Sequence, residues 1–402
     1  GSGEGFAQPL QMRRDLTPAL IAAASAGIPL IIGSTGGAGA RPHLDETLTM
    51  VREIARAEGL RLRVASIAAD IEPETVVQAL GENRIDHDGA AGELTEDAVR
   101  SCTRIVAQMG AGPMIRALEG GADVVVAGRA CDTAIFAAMP IMRGYDAGLA
   151  LHAAKIAECG TLCARPGGAN DALMVALSED HFIVEPANPA KACHPDSVAA
   201  HSLYEQPDPN CFYEPEGKVD LSDCDFEPHG GRAVRVSGTR LEPTPATIKL
   251  EGAALRGYRA ICVAGARDPG VIENIDEIER GVRQAVAANL AGTLDEDDYS
   301  LRMLRYGLDA VTGQASGPPP DEIGVVIEAI APTQELADTV VSLARSTALH
   351  QPFEGRKTTA GNFALPFSPS DLQGGAVYEF AVYHLMRTDH ADELFPVSFE
   401  EV

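Results

Sequence analysis

Four consecutive apolar residues, Val124-Val125-Val126-Ala127, run directly into Gly128-Arg129-Ala130-Cys131-Asp132 and then into a helical pattern. An uninterrupted β-branched run with no polar alternation suits a strand covered on both faces, as in a parallel sheet flanked by helices. Open sheets of that kind collect ligands at the carboxyl ends of their strands. The junction after Ala127 is therefore the expected place of function. Residues 28–32 and 62–67 read as further strands around a helix with Leu44, Leu48, Val51, Ile54 and Ala55 at helical spacing, making a βαβ unit. A helix is expected from Thr95 through Val106 and Met109, and a short one from Pro113.

The pattern changes over residues 171–238 to short strand-like runs (173–177 and 181–184) broken by prolines. Beyond Ala246 the expected order is strand 247–250, strand 258–264, helix 272–290, strand 300–305, strand 323–330, helix 333–349 and strand 362–366. These signals predict an α/β fold, with an open, mostly parallel sheet domain (1–165) and a loop-rich β connecting region (166–245). A smaller α+β, ferredoxin-like domain (246–370) and a C-terminal tail (371–402) complete it. Linker composition is found at residues 313–320 and around residues 207–215.

Charge and composition narrow the function. A formal net charge of −26 argues against nucleic acid, whose phosphates are met by clustered Lys and Arg. With 45% hydrophobic and 22% charged residues the composition is globular. No apolar run approaches the roughly 18 residues a membrane helix needs. Eight cysteines (102, 131, 159, 163, 193, 211, 224 and 262) lack framework spacing, and no secretion signal precedes them. Free thiols and a cytoplasmic location are the expectation. Cys159 and Cys163 form the close pair, and without a second pair nearby no metal site is assigned to them.

Several motifs carry candidate chemistry. Gly33-x-x-Gly36-Gly37-x-Gly39 ends the first strand where backbone amides could cradle an anion, or it is simply a tight turn. Pro42 and the distant Asp70 rule out a dinucleotide fingerprint, and no Lys-Ser/Thr follows to make an ATP loop. His43 and Asp45 open the next helix. Asp132 is placed to cap the helix through Ile135 and Ala138, or to serve with Arg129 in holding a substrate carboxylate and moving a proton. Cys131 reads as an inert thiol unless Arg129 and the helix N-terminus activate it.

His152, Lys155 and Cys159 share one face of an otherwise apolar helix ended by Gly160. They are either a core histidine plus a Lys155–Glu158 surface pair, or proton-transfer groups. Ser197 and His201, with Glu205 or Asp196 nearby, hint at nucleophilic catalysis, against plain capping by Asp196 or Ser197. Lys249 and Glu251 alternate along a strand and Arg267 closes the next one. Asp45, Asp70 and Asp132 could gather around a Mg²⁺ ion, although no metal ligand is assigned.

Gly33-Ser-Thr-Gly-Gly-Ala-Gly39, Gly128-Arg129-Ala130-Cys131-Asp132, His152-Ala-Ala-Lys155, Ser197-Val-Ala-Ala-His201-Ser-Leu-Tyr204-Glu, Lys249-Leu-Glu-Gly252 and Gly257-Tyr258-Arg259 together resemble the acyclic terpene utilisation (AtuA-like) family. The resemblance spans roughly residues 15 to 385. It implies a cytoplasmic bacterial protein that degrades branched acids and terpenoids as thioesters. Similar proteins usually carry a further segment before the position where this chain begins. Part of the site is therefore expected to be missing, or Gly1-Ser-Gly-Glu-Gly5 to be an expression scar.

The expected function is a lyase or hydratase acting on a branched carboxylic acid or its acyl-CoA thioester. Asp132, His152 and Lys155 are its catalytic candidates, and Gly36, Gly37, Gly39, Arg129, Lys249 and Arg267 its substrate-binding ones. The site is expected in a cleft between the domains. The rival is a non-catalytic subunit of a hetero-oligomer, whose residues 374–384 add a strand to a small companion protein.

Overall fold

The run of residues 124–127 forms the centre of a sheet whose strand order is Leu30–Ile32, Val124–Ala127, Arg63–Ile67, Val397–Glu401. This computed structural model describes residues 1–89, 91–168, 171–315, 317–357, 360–389 and 391–402. Ser316 of the expected linker lies outside the described residues. Leu30 and Val64 both stand beside Val124 in parallel register, whereas Val397 pairs antiparallel with Ile67. The expected C-terminal tail thus ends as an edge strand of the first sheet.

Alternation along the central strand explains why every one of its residues is buried. Val124 and Val126 pack with Leu20 of helix Pro9–Ala26 and with Leu44, Val51 and Ile54 of helix Arg41–Glu58. Val125 and Ala127 face the opposite layer, with Met114 and Ala117 of helix Ala111–Glu119 and Ala134 and Ala138 of helix Ala134–Met142. A sheet covered on both faces needs apolar residues at every position, and this is what the sequence supplies.

Residues Gly3–Ala253 together with Phe380–Val402 form one compact unit, and Ala254–Glu379 a second. In the first unit, helix Ala147–Ala157 is buried from Gly148 through Ile156. Leu149, Ala153 and Ile156 meet the strands His181–Pro186 and Ala233–Ser237, while Ala150, Leu151 and Ala154 meet Phe212 and Val219. In the second unit, strand Ile323–Ala331 pairs antiparallel with Ser300–Tyr306 on one side and with residues 258–266 on the other. Helices Ile275–Leu290 and Gln334–His350 supply Ile278, Val282, Val340 and Val341 to its core.

Several local expectations are corrected. The helix expected from Thr95 to Met109 is helix Glu96–Ser101 only, with Thr95 Oγ1 accepting from Ala98 N at 3.2 Å. Cys102–Ala107 is a strand, because its β-branched residues find a partner in the long strand Thr247–Ala266. That long strand replaces two expected ones. The 272–290 helix is interrupted at Asn274 into Pro269–Glu273 and Ile275–Leu290, and residues 362–366 contribute only the bridge between Ala364 and Gly265. The 374–384 run is part of strand Asp371–Arg387, which lies between Thr247–Ala266 and Ile85–His87. Its His384 pairs with His87, and Leu385 and Met386 continue that short ladder. Among the described residues no helix is long and apolar enough to cross a membrane.

Candidate functional site

The loop after the central strand is braced from below. Arg129 forks onto Glu251, with Nε to Oε2 at 2.7 Å and Nη2 to Oε1 at 3.1 Å, and Gln108 Nε2 donates to Glu251 Oε1 at 2.8 Å. Arg129 Nη1 also reaches Ser34 Oγ at 3.4 Å, and Ser34 Oγ accepts from Ala130 N at 2.9 Å. A two-pronged pair between side chains only 20% and 12% exposed fixes both partners in place. The guanidinium expected to hold a substrate is therefore engaged by Glu251.

The glycine loop is shaped by packing. Gly36, Gly37 and Gly39 all have positive φ, where a side chain is strained. A Cβ on Gly39 would overlap the Arg129 backbone, and one on Gly36 would sit 2.8 Å from the His43 ring. The amides of Thr35, Gly37 and Gly39 donate to Ala127, Ser34 and Thr35 carbonyls at 3.2, 3.0 and 2.9 Å, so three of the donors expected to cradle an anion are already satisfied. His43 accepts from Ala40 N through Nδ1 and contacts Glu4 O through Nε2 at 3.0 Å, and Phe6 N donates to Gly36 O at 3.0 Å. Asp45 pairs with Arg41 Nε and Asp70 accepts from Arg41 N. Among the described residues no three His, Cys, Asp or Glu side chains converge as a metal site.

Above the brace lies a cluster of ionisable groups. The helix after the loop begins at Ala134 with Thr133 at its cap position, so Asp132 does not cap it and its side chain is exposed. Helix Ala147–Ala157 ends one turn before the expected Gly160, with Glu158 at its C-cap. Lys155 Nζ donates to Glu158 Oε1 at 2.8 Å, and these side chains are only 7% and 9% exposed. The pair is therefore interior and not a surface pair. Burial raises the Glu158 carboxyl; the Lys155 ammonium opposes this, and Asp132 beside it adds to the rise. The Tyr204 ring lies 5.7 Å below Lys155 Nζ.

Two groups that sequence reasoning missed complete the cluster. Glu214 ends strand Cys211–Glu214 inside the stretch read as a linker, and Glu216 follows Pro215 in the hairpin to Gly217–Asp220. Burial pushes the Glu214 carboxyl up to about 8; Thr133 beside it lowers it and Glu216 raises it further. Burial also raises Glu216, whose Oε1 accepts from Ala111 N at 2.6 Å. Cys131 is pushed well up by burial and by Glu214 and Glu216, which argues against a thiolate nucleophile. The sequence signal for the hairpin was Glu-Pro-Glu-Gly itself, a turn flanked by acids and joined to a strand.

The remaining candidates lie elsewhere. His152 is fully buried between Thr239 Oγ1 at 2.7 Å and Ser202 Oγ at 2.9 Å, edge-on to Phe182, and burial lowers it to about 3. It is a neutral, fully bonded core histidine. Ser197 Oγ donates to Cys163 O and accepts from His194 N as part of a capping box, while His201 contacts Glu158 O at 3.1 Å, so the two do not meet as a catalytic pair. Lys249 pairs with Asp88 at 2.8 Å and donates to Tyr383 Oη at 2.6 Å. Arg267 is exposed and belongs to the second unit, whereas the other candidates all belong to the first.

No curated protein and no solved structure matches the chain. A family model described as "Acyclic terpene utilisation family protein AtuA" matches residues 2–172 and 174–366. Glycine loop, Arg129 brace and ionisable cluster all fall inside the matched segments, and with nearly its whole length covered the chain belongs to the acyclic terpene utilisation family.

Proposed function

We propose that this protein is an enzyme of acyclic terpene catabolism, a lyase or hydratase that moves a proton next to the carbonyl of a branched acid or its acyl-CoA thioester. The family supports the catabolic setting. The observation that carries the reaction type is a pair of carboxyls in contrasting surroundings near one ammonium: Asp132 exposed, and Glu214 half-buried and pushed up to about 8 by burial. A carboxyl raised by its surroundings suits the acid role, and a second carboxyl nearby can take the base role. In this reading Asp132 takes the proton beside the carbonyl, and Lys155 faces the oxygen on which negative charge develops. Glu214, still protonated near neutral pH, delivers a proton to the departing hydroxyl. Arg129 and Glu251 hold the loop that presents Asp132 and are positioning residues.

A thermal-shift panel of branched acyl-CoA thioesters and the matching free acids tests the substrate class. Ligand at about a hundred times its dissociation constant adds about 2.7 kcal/mol, a rise of a few degrees in melting temperature. The proposal expects a shift with branched thioesters or acids that shrinks in Lys155→Met. A silent panel, or a shift indifferent to Lys155, would overturn it.

A further inference from the structure

Cys163 and Cys193 come from separate segments and meet in the interior. Cys163 ends the short turn Gly160–Cys163, and Cys193 ends the strand Ala192–Cys193. The adjoining strand Ala164–Arg165 pairs antiparallel with it, placing Ala164 opposite Cys193. The two Sγ atoms are 3.9 Å apart, 30 residues apart in sequence, and both residues are buried. Cys159, which the sequence spacing singled out as the partner of Cys163, is instead exposed.

We propose that Cys163 and Cys193 form a reversible disulfide when the protein meets a peroxide. A disulfide has its sulfurs about 2.05 Å apart, so each side chain must move by about 1 Å from this geometry. The environment divides the roles. Arg232, whose Nε is buried without a hydrogen-bond partner, adjoins Cys193, and the Cys193 amide donates to Arg232 O at 2.9 Å. The Cys163 thiol and then the guanidinium pull the Cys193 thiol down against burial, while the Cys163 thiol is pushed up. Cys193 thiolate attacks one oxygen of hydrogen peroxide, the O–O bond breaks, and with one proton the products are a sulfenic acid and water. Cys163 sulfur then displaces the hydroxyl of that sulfenic acid, its own proton leaving with it as a second water. Two thiols are oxidised by two electrons and one peroxide is reduced.

The bond would reach the region of the ionisable cluster. Cys163 Sγ donates to Gly160 O at 3.0 Å, and Cys163 O accepts from Ser197 Oγ at 2.6 Å. Turning Sγ toward Cys193 releases Gly160 O in the turn directly after Lys155 and Glu158.

The test is to treat the intact wild-type protein with hydrogen peroxide, block free thiols, digest without reductant and map cross-linked peptides by mass spectrometry. The expected result is a Cys163–Cys193 linkage, lost with dithiothreitol and retained in Cys159→Ser. The oxidised protein should melt roughly 5 °C or more higher, since the bond closes a loop of about 30 residues. In Cys163→Ser, dimedone should label Cys193. Oxidation confined to Cys159, or a linkage that always includes Cys159, would overturn the proposal. So would over-oxidation of Cys193 with no bond to Cys163.

Discussion

Replacing Glu214 by Gln keeps the side chain's size and removes its charge, which isolates the group on which the acid role rests. Burial raises this carboxyl from 4.5 to about 8. The unfolded chain releases the proton near 4.5 while the folded protein holds it to about 8, so across that window the folded state binds more protons and stability falls as pH rises. The full displacement corresponds to about 4–5 kcal/mol of ionisation cost, and partial solvent access and relaxation leave about 2 kcal/mol to be observed. Glu158 and Glu216 are raised too and titrate in both proteins, so the difference between wild type and Glu214→Gln reports Glu214 together with its coupling to Glu216. Urea unfolding at several pH values from about 5.5 to about 8.5 measures it. The variant should gain about 2 kcal/mol relative to wild type between the two ends. A difference that stays constant with pH would refute the assignment.

Other consequences are direct. Arg129→Ala leaves Glu251 enclosed and unpaired, and should lower stability by about 3 kcal/mol in denaturant unfolding, with Arg129→Lys restoring little of it because an ammonium cannot reproduce the fork. Gly39→Ala forces a Cβ into the Arg129 backbone and should prevent folding or lower the melting temperature steeply. Gly37→Ala, whose nearest neighbour is the Phe6 Cβ at 3.4 Å, should cost only about 1 kcal/mol. His152→Ala empties a site between Thr239, Ser202 and Phe182 and should cost about 3 kcal/mol at about pH 8; because the folded protein keeps His152 neutral down to about 3 while the unfolded chain protonates it near 6.5, the variant should also lose the rise in stability that wild type shows as pH increases toward about 6.5, and an unchanged profile would contradict a buried neutral imidazole.

Legibility in the sequence followed locality. The Val124–Ala127 strand and the Gly128-to-Asp132 loop could be read because both faces of the strand are apolar and the loop follows at once. Lys155 and Glu158 could be read as a pair from helical spacing, but their burial could not. It depends on the Phe182 and Phe212 strands, which wrap that helix from far along the chain. The engagement of Arg129 by Glu251 spans 122 residues and leaves no local periodicity. Cys102–Ala107 continued a helical pattern until a distant strand paired with it. Glu214 and Glu216 sat among prolines that read as linker, yet the hairpin brings them to Thr133 and Ala111.

The most direct test of the proposed chemistry is deuterium uptake at the carbon beside the carbonyl of a branched acyl-CoA thioester that carries a hydroxyl on the next carbon, followed by mass spectrometry in deuterated buffer. Wild-type protein should catalyse the exchange, Asp132→Asn should slow it by about 10²- to 10⁴-fold, and Glu214→Gln should leave exchange while abolishing loss of the hydroxyl. Exchange that is absent from wild type across the thioester and free-acid series, or unchanged in Asp132→Asn, would contradict the account.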